Sequence, residues 1–216
     1  MRTMKLSVYK YDPATDAAPY YVSGQVEYRE QMTLLEALQE FHENIEPVNF
    51  DYSCGCRLCG RCAVMANGQP VLMCVTKAED RDYKIEPLKG YPVIRDLIVE
   101  KSSFDDKLSG YFKRIRVEPF TEETIVPKNY DPSVREPLYT IEFCCRCGVC
   151  DAACPVVATK PNEYVGPAGM LAIAYRFYDP LDQGDRVMEA VSEGLYHCIM
   201  CGMCDTVCQQ QDIKHV

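Results

Sequence analysis

The chain has 216 residues, 47% of them apolar, which points to a globular fold rather than disorder and leaves room for two domains. Its formal net charge of −9, from 32 acidic and 23 basic residues, argues against nucleic acid as a partner, because no long basic stripe is present to meet a phosphate backbone. Fourteen cysteines are too sparse for a small disulfide scaffold. The opening "MRTMKLSVYKYDP" has no secretory h-region and no twin-arginine leader, so a cytoplasmic protein whose clustered thiols hold metal is expected.

In chain order, "MKLSVYK" at 4–10 reads as a strand and "GQVEYRE" at 24–30 as its pair. "TLLEALQEFHEN" reads as a helix, with Leu34, Leu35, Leu38 and Phe41 on one face. Thr33 and Glu36 have the spacing of a capping box at its start. A cysteine-rich loop follows at 54–62, and then "CAVMANGQPVLMCV" predicts a hairpin turning at Asn67-Gly68, with Cys74 on the returning strand. "YKIEPL" adds another strand. The proline-rich, charged stretch "VEPFTEETIVPKNYDPSVREPLY" reads as a connection, and "GPAGMLAIAYRFYDP" and "DRVMEAVSEGLY" as helices. The apolar run "AGMLAIAYRF" is too short to span a bilayer. The organisation expected is a first domain at 1–105, a connecting segment at 106–137, and a mostly helical second domain at 138–216 that carries nine cysteines.

The cysteine spacings define the chemistry. Cys54, Cys59, Cys62 and Cys74 form C-x4-C-x2-C with a distant fourth member, the plant-type [2Fe-2S] pattern. Such a centre needs two thiolates per iron, and Gly55 and Gly60 let the loop backbone approach the sulfurs. A four-cysteine zinc site is the alternative that "CRLC" alone leaves open. Cys144, Cys147, Cys150, Cys154 and then Cys198, Cys201, Cys204, Cys208 repeat C-x2-C-x2-C-x3-C, the bacterial [4Fe-4S] form. The fourth cysteine of each run then serves the other cluster. One set is Cys144, Cys147, Cys150 and Cys208, and the other is Cys154, Cys198, Cys201 and Cys204. Pro155 follows the first run as the motif asks, whereas Gln209 follows the second. Twelve of the fourteen cysteines are thus assigned to iron, with Cys56 and Cys145 spare. No dinucleotide fingerprint, P-loop or catalytic residue set is evident. His197, beside Cys198, reads as a surface or partly packed residue.

The stretches "TLLEALQEFHENIEP", "SCGCRLCGRCAVMANGQPVLMC", "IEPLKGYPVIRDLIV", "CCRCGVCDAACPVV" and "YVGPAGMLAIAYRFYDP" resemble, in order and over nearly the whole chain, the iron–sulfur subunits of succinate dehydrogenases and fumarate reductases. The resemblance implies an α+β chain, a plant-type ferredoxin-like (β-grasp) domain followed by a mostly helical bacterial-ferredoxin-like domain. It implies the non-catalytic electron-transfer subunit of an oxidoreductase complex, with an FAD-containing flavoprotein subunit as one partner. A membrane-anchor or other electron-carrier subunit, with menaquinone as a possible acceptor or donor, is the other. Attachment to the membrane is then through a partner. The alternatives are a related flavin- or heterodisulfide-type reductase with another substrate and, more remotely, a free ferredoxin-type carrier.

The chain also departs from its commonest relatives. By resemblance, Cys154, Cys198 and Cys204 match the ligands of a [3Fe-4S] centre, and members usually have no cysteine at Cys201. Its presence implies one [2Fe-2S] and two [4Fe-4S] clusters, with a distal [3Fe-4S] as the alternative. No tryptophan follows Pro155, or occurs anywhere, and the chain has Gln209-Gln210 where Pro-Lys is usual, which puts the standard quinone contact in doubt.

Overall fold

The protein is described by a computed structural model covering residues 2–116 and 131–210; much of the expected connecting segment, 117–130, lies outside them. The chain forms two compact units. The first comprises Met1–Lys101, Cys145–Ala153 and Val207–Gln209, and the second Ser102–Cys144, Cys154–Thr206 and Gln210–Val216.

The first unit is built on a five-stranded sheet of β1 (Thr3–Lys10), β2 (Tyr20–Glu27), β3 (Ala63–Ala66), β4 (Gln69–Leu72) and β5 (Tyr83–Pro87), in the order β2-β1-β5-β3-β4. β1 pairs antiparallel with β2 from Thr3↔Glu27 to Lys10↔Tyr20, so the second strand starts earlier than its apolar residues suggest. β1 also runs parallel to β5, through Leu6↔Tyr83 and Val8↔Ile85. Met4, Leu6 and Val8 alternate inward and are fully buried.

Helix α1 (Leu34–Asn44) lays Leu34, Leu35, Ala37, Leu38 and Phe41 into this core. Its capping box is complete: the Glu36 N–H donates to Thr33 Oγ1 at 3.2 Å, and the Thr33 N–H to Glu36 Oε2 at 2.6 Å. Such a cap contributes about 1 kcal/mol. β3 and β4 form the expected hairpin, with Asn67 and Gly68 both at positive φ, as its two-residue turn requires. Cys74 lies two residues beyond β4, in the turn that follows, rather than on the strand.

A short irregular ribbon, β6 (Val93–Arg95) and β7 (Ile98–Val99), brings Asp96 into the first unit at 2% exposure. Its carboxylate accepts from the N–H of Tyr11 at 2.9 Å and from the backbone and side-chain N–H groups of Asn49, each at 2.8 Å. Lys10 Nζ stands 3.3 Å away. Burial pushes this carboxyl up, but the donors and Lys10 outweigh it and hold it below the usual carboxylate value.

The second unit is helical: α2 (Ser102–Phe112), α3 (Arg135–Glu142), α5 (Pro155–Thr159), α6 (Pro167–Phe177), α7 (Arg186–Ser192) and most of α8 (Met203–Val207). Helix α4 (Val149–Ala153) belongs to the first unit, where it packs on β4. α6 is the centre of the second unit, packed against α2, α3 and α7 through buried Leu171, Ala172 and Ile173. Arg186 and Asp182 form a buried bidentate pair, both side chains 2% exposed, at 2.7 and 3.0 Å. Arg186 also bonds Glu189 and the Lys113 carbonyl. Among the described residues, no helix is long and apolar enough to cross a membrane.

Candidate metal centres

The first cysteine loop hangs between α1 and β3. Asp96 fixes its approach through Asn49, and Asp51 and Arg61 close its neck with an ion pair at 2.8 Å. Gly55, Arg57 and Gly60 turn the backbone at positive φ. The loop winds around Cys54, whose Sγ accepts from the N–H groups of Cys56, Leu58 and Cys59 at 3.4, 3.2 and 3.3 Å. These donors, that of Cys56 first, lower the thiol to about 6.

Of the predicted thiols, Cys54 interacts with Cys59, and Cys62 with Cys74 and Cys59. The Cys74 N–H donates to Cys62 Sγ at 3.5 Å. Burial pushes the Cys62 thiol up to about 12. The spare Cys56 is exposed and touches Cys54.

The second set begins at the end of the second unit's first segment with Cys144, and Cys147, Cys150 and Cys208 all lie in the first unit. Cys147 and Cys150 interact, and Cys150 is buried at the start of α4. The spare Cys145 packs against the first unit's core and touches Cys147. This segment lies directly on the first loop. A β-carbon on Gly60 would fall 2.5 Å from the Cys145 carbonyl oxygen and 2.9 Å from Cys147 Cα, so only glycine permits the approach. Arg57 Nη1 adds a bond of 3.0 Å to the carbonyl of Gln209, next to Cys208.

In the third set, Cys154, Cys198, Cys201 and Cys204 line one pocket of the second unit, together with Tyr164 and Val156. Cys154 and Cys204 are buried, and burial pushes the Cys204 thiol up to about 11. Cys201 stands at the exposed side of the pocket. His197 is partly exposed, its Nδ1 3.7 Å from Glu163.

The three sets share a backbone device. Each contains Cys-Gly-x-Cys with its glycine at positive φ: Gly60 at 66°, Gly148 at 80° and Gly202 at 72°. In the second and third, the residue before the Cys-Gly step, Arg146 or Met200, is also left-handed, at 54° and 53°. Cys201 therefore stands in the third loop as Cys147 does in the second. The sequence offered no signal for Asp96 as the anchor beneath the first loop, nor for the seat of Arg57 on Gln209.

Comparison with known proteins gives the same classes of domain. Residues 5–106 match a family described as a 2Fe-2S iron-sulfur cluster binding domain, and residues 140–211 one described as a 4Fe-4S dicluster domain. A subunit of the CoM/CoB fumarate reductase of Methanothermobacter marburgensis is 33% identical over 96% of this chain. The chain spans only 41% of that protein's length. The fumarate reductase iron-sulfur subunit of Haemophilus influenzae is 32% identical over 99% of this chain and 88% of its own. Among solved structures, a chain of the Mycobacterium smegmatis Sdh1 complex in the apo form superposes with a TM-score of 0.79 at 25% identity, covering 97% of this chain and 89% of that one.

Proposed function

Because the chain belongs to the iron–sulfur electron-transfer subunits of the succinate dehydrogenase and fumarate reductase family, with a 2Fe-2S and a 4Fe-4S dicluster domain, we propose that its three cysteine sets are the ligands of three centres. It is the non-catalytic subunit of such a complex and relays electrons within it. The proposed ligands are Cys54, Cys59, Cys62 and Cys74 for the [2Fe-2S] centre, and Cys144, Cys147, Cys150 and Cys208 for the central [4Fe-4S]. Cys154, Cys198, Cys201 and Cys204 hold the distal [4Fe-4S].

Iron–sulfur clusters supply one-electron storage and transfer when bound. The chain's own residues arrange the path. Gly60 and Arg57 press the first loop onto the second cysteine segment, and this contact is the observation that carries the relay reading. The inward N–H groups around Cys54 offset negative charge on sulfur.

Two partners complete the reading. An FAD-containing subunit exchanges electrons with the first loop, and fumarate and succinate are its leading substrate pair. A second carrier, an anchor with menaquinone or another electron-carrying subunit, meets the distal pocket. Tyr196, Ile199 and Met200 are 81%, 65% and 72% exposed beside that pocket, an apolar collar suited to a protein partner. On this reading the subunit works on the cytoplasmic side, held at the membrane through a partner. The likeness to the CoM/CoB fumarate reductase favours a second reading, a thiol–disulfide couple in place of a quinone.

Purification without oxygen from the native source tests all of this. The chain should carry about ten irons with matching acid-labile sulfide. It should copurify with a flavoprotein that reduces fumarate. Stoichiometric zinc without sulfide sinks the centres, and a flavoprotein inert toward fumarate and succinate sinks the substrate. Menaquinol and the CoM and CoB thiols, supplied in turn as donors, separate the two readings of the second partner.

A further inference from the structure

Lys101 is the last residue of the first unit's main segment, just beyond β7. Its Nζ donates to two successive carbonyls of the second cysteine loop, Arg146 at 3.2 Å and Cys147 at 2.9 Å. The ammonium also stands 5.8 Å from the centre of the Tyr91 ring. Tyr91 in turn covers Gly148, where a β-carbon would collide with its hydroxyl oxygen. One cation thus grips the loop where Arg146 and Gly148 both take positive φ.

The consequence follows from the peptide group. In a trans peptide the C=O and the N–H of one unit point in opposite directions. Two carbonyls turned toward Lys101 leave the N–H groups of Cys147 and Gly148 turned away from it, to the opposite side of the loop backbone. The ammonium therefore does two things at once. It brings a positive charge to the loop, and it fixes the direction of two donors. Both stabilise negative charge held inside the loop, and reduction adds negative charge.

We propose that Lys101 is a positioning residue that raises the reduction potential of the central four-iron centre through its grip on the Arg146 and Cys147 carbonyls. The inference rests on the assignment of Cys147 and Cys150 to that centre. The residue's own length and charge are what the grip uses, so arginine should replace it and glutamine should not.

Redox titration of the intact complex, followed by low-temperature electron paramagnetic resonance, tests it. The unmodified protein is measured first, and absence of any four-iron signal there sinks the ligand assignment rather than this inference. The central signal is identified as the one lost in Cys150→Ala. In Lys101→Gln, the ratio of reduced to oxidised central centre at fixed poise should fall roughly three- to tenfold at low salt, as expected for loss of one partly screened charge nearby. Iron content and the other two potentials should stay as they were. Lys101→Arg should restore the original value. An unmoved potential in Lys101→Gln overturns the proposal, and so does an equal fall in Lys101→Arg. Loss of the centre from Lys101→Gln overturns it as well, since Lys101 would then be needed to hold the metal rather than to tune it.

Discussion

Gly60 lies against the backbone of Cys147, so closely that a β-carbon on Gly60 would come within 2.9 Å of Cys147 Cα. Residues 87 positions apart in sequence thus bring two metal-binding loops into van der Waals contact. Gly60→Ala meets backbone on both near sides and is strained at φ +66° besides. Expected is a loss of about 1–3 kcal/mol in stability. A weakened magnetic interaction between the first two centres should accompany it, read as slower spin relaxation. Unchanged relaxation and melting would show that the contact does not set the distance.

The proposed ligand set predicts which first-loop cysteines matter. Cys59→Ser should abolish the [2Fe-2S] signal, because it removes one of four thiolates. Cys56→Ser should leave it intact, since Cys56 is exposed and the four proposed ligands are complete without it. Loss of the signal in the Cys56 variant overturns the ligand set.

Cys201 lines the same pocket as Cys154, Cys198 and Cys204. Cys201→Ala should convert the distal centre to a three-iron form or lose it, with roughly one iron per chain less in the first case. An oxidised three-iron signal already present in the anaerobic unmodified protein would remove Cys201 from the ligands.

In the second unit, Arg186→Ala leaves the buried Asp182 carboxylate with only the N–H groups of Ile115 and Gly184 and should cost about 3–5 kcal/mol, read from the unfolding transition. The buried pair replaced on both sides, Arg186→Met with Asp182→Leu, should cost much less. Equal losses would mean that packing around α7, not charge, is responsible.

Asp96 has a folded pKa below its unfolded value. Its bonds therefore contribute stability above about pH 3.9, and that contribution is lost as pH falls through the folded value. Asp96→Asn should lower stability by about 2–3 kcal/mol near pH 7, with the gap to the unmodified protein closing below about pH 4. A gap that persists in acid would assign the loss to geometry rather than to charge.

Local features were legible in the sequence because local physics decides them. The Thr33–Glu36 box and the Asn67-Gly68 turn each rest on residues three or fewer apart. The cysteine spacings carried the families of centre in the same way. The start of β2 was not legible: Tyr20 to Ser23 lie mostly exposed on an edge strand, with register set by β1 rather than by an apolar pattern. Helix α2 escaped notice because it buries only Leu108 and Tyr111. The Asp96 anchor and the Gly60 contact depend on partners 47 to 87 residues away, which no local pattern announces.

The first unit recruits Cys145–Ala153 and Val207–Gln209 from late in the chain. On a ribosome, which delivers the polypeptide from its N-terminus, the sheet, α1 and the four first-loop cysteines are all available once Cys74 and β5 have emerged. The second cysteine set, as proposed, is not complete until Cys208 is synthesised, 134 residues after Cys74. The order of synthesis thus separates the two proposed sites: the ligands of the two-iron site are all present on a short nascent chain, whereas those of the central four-iron site have to wait for Cys208.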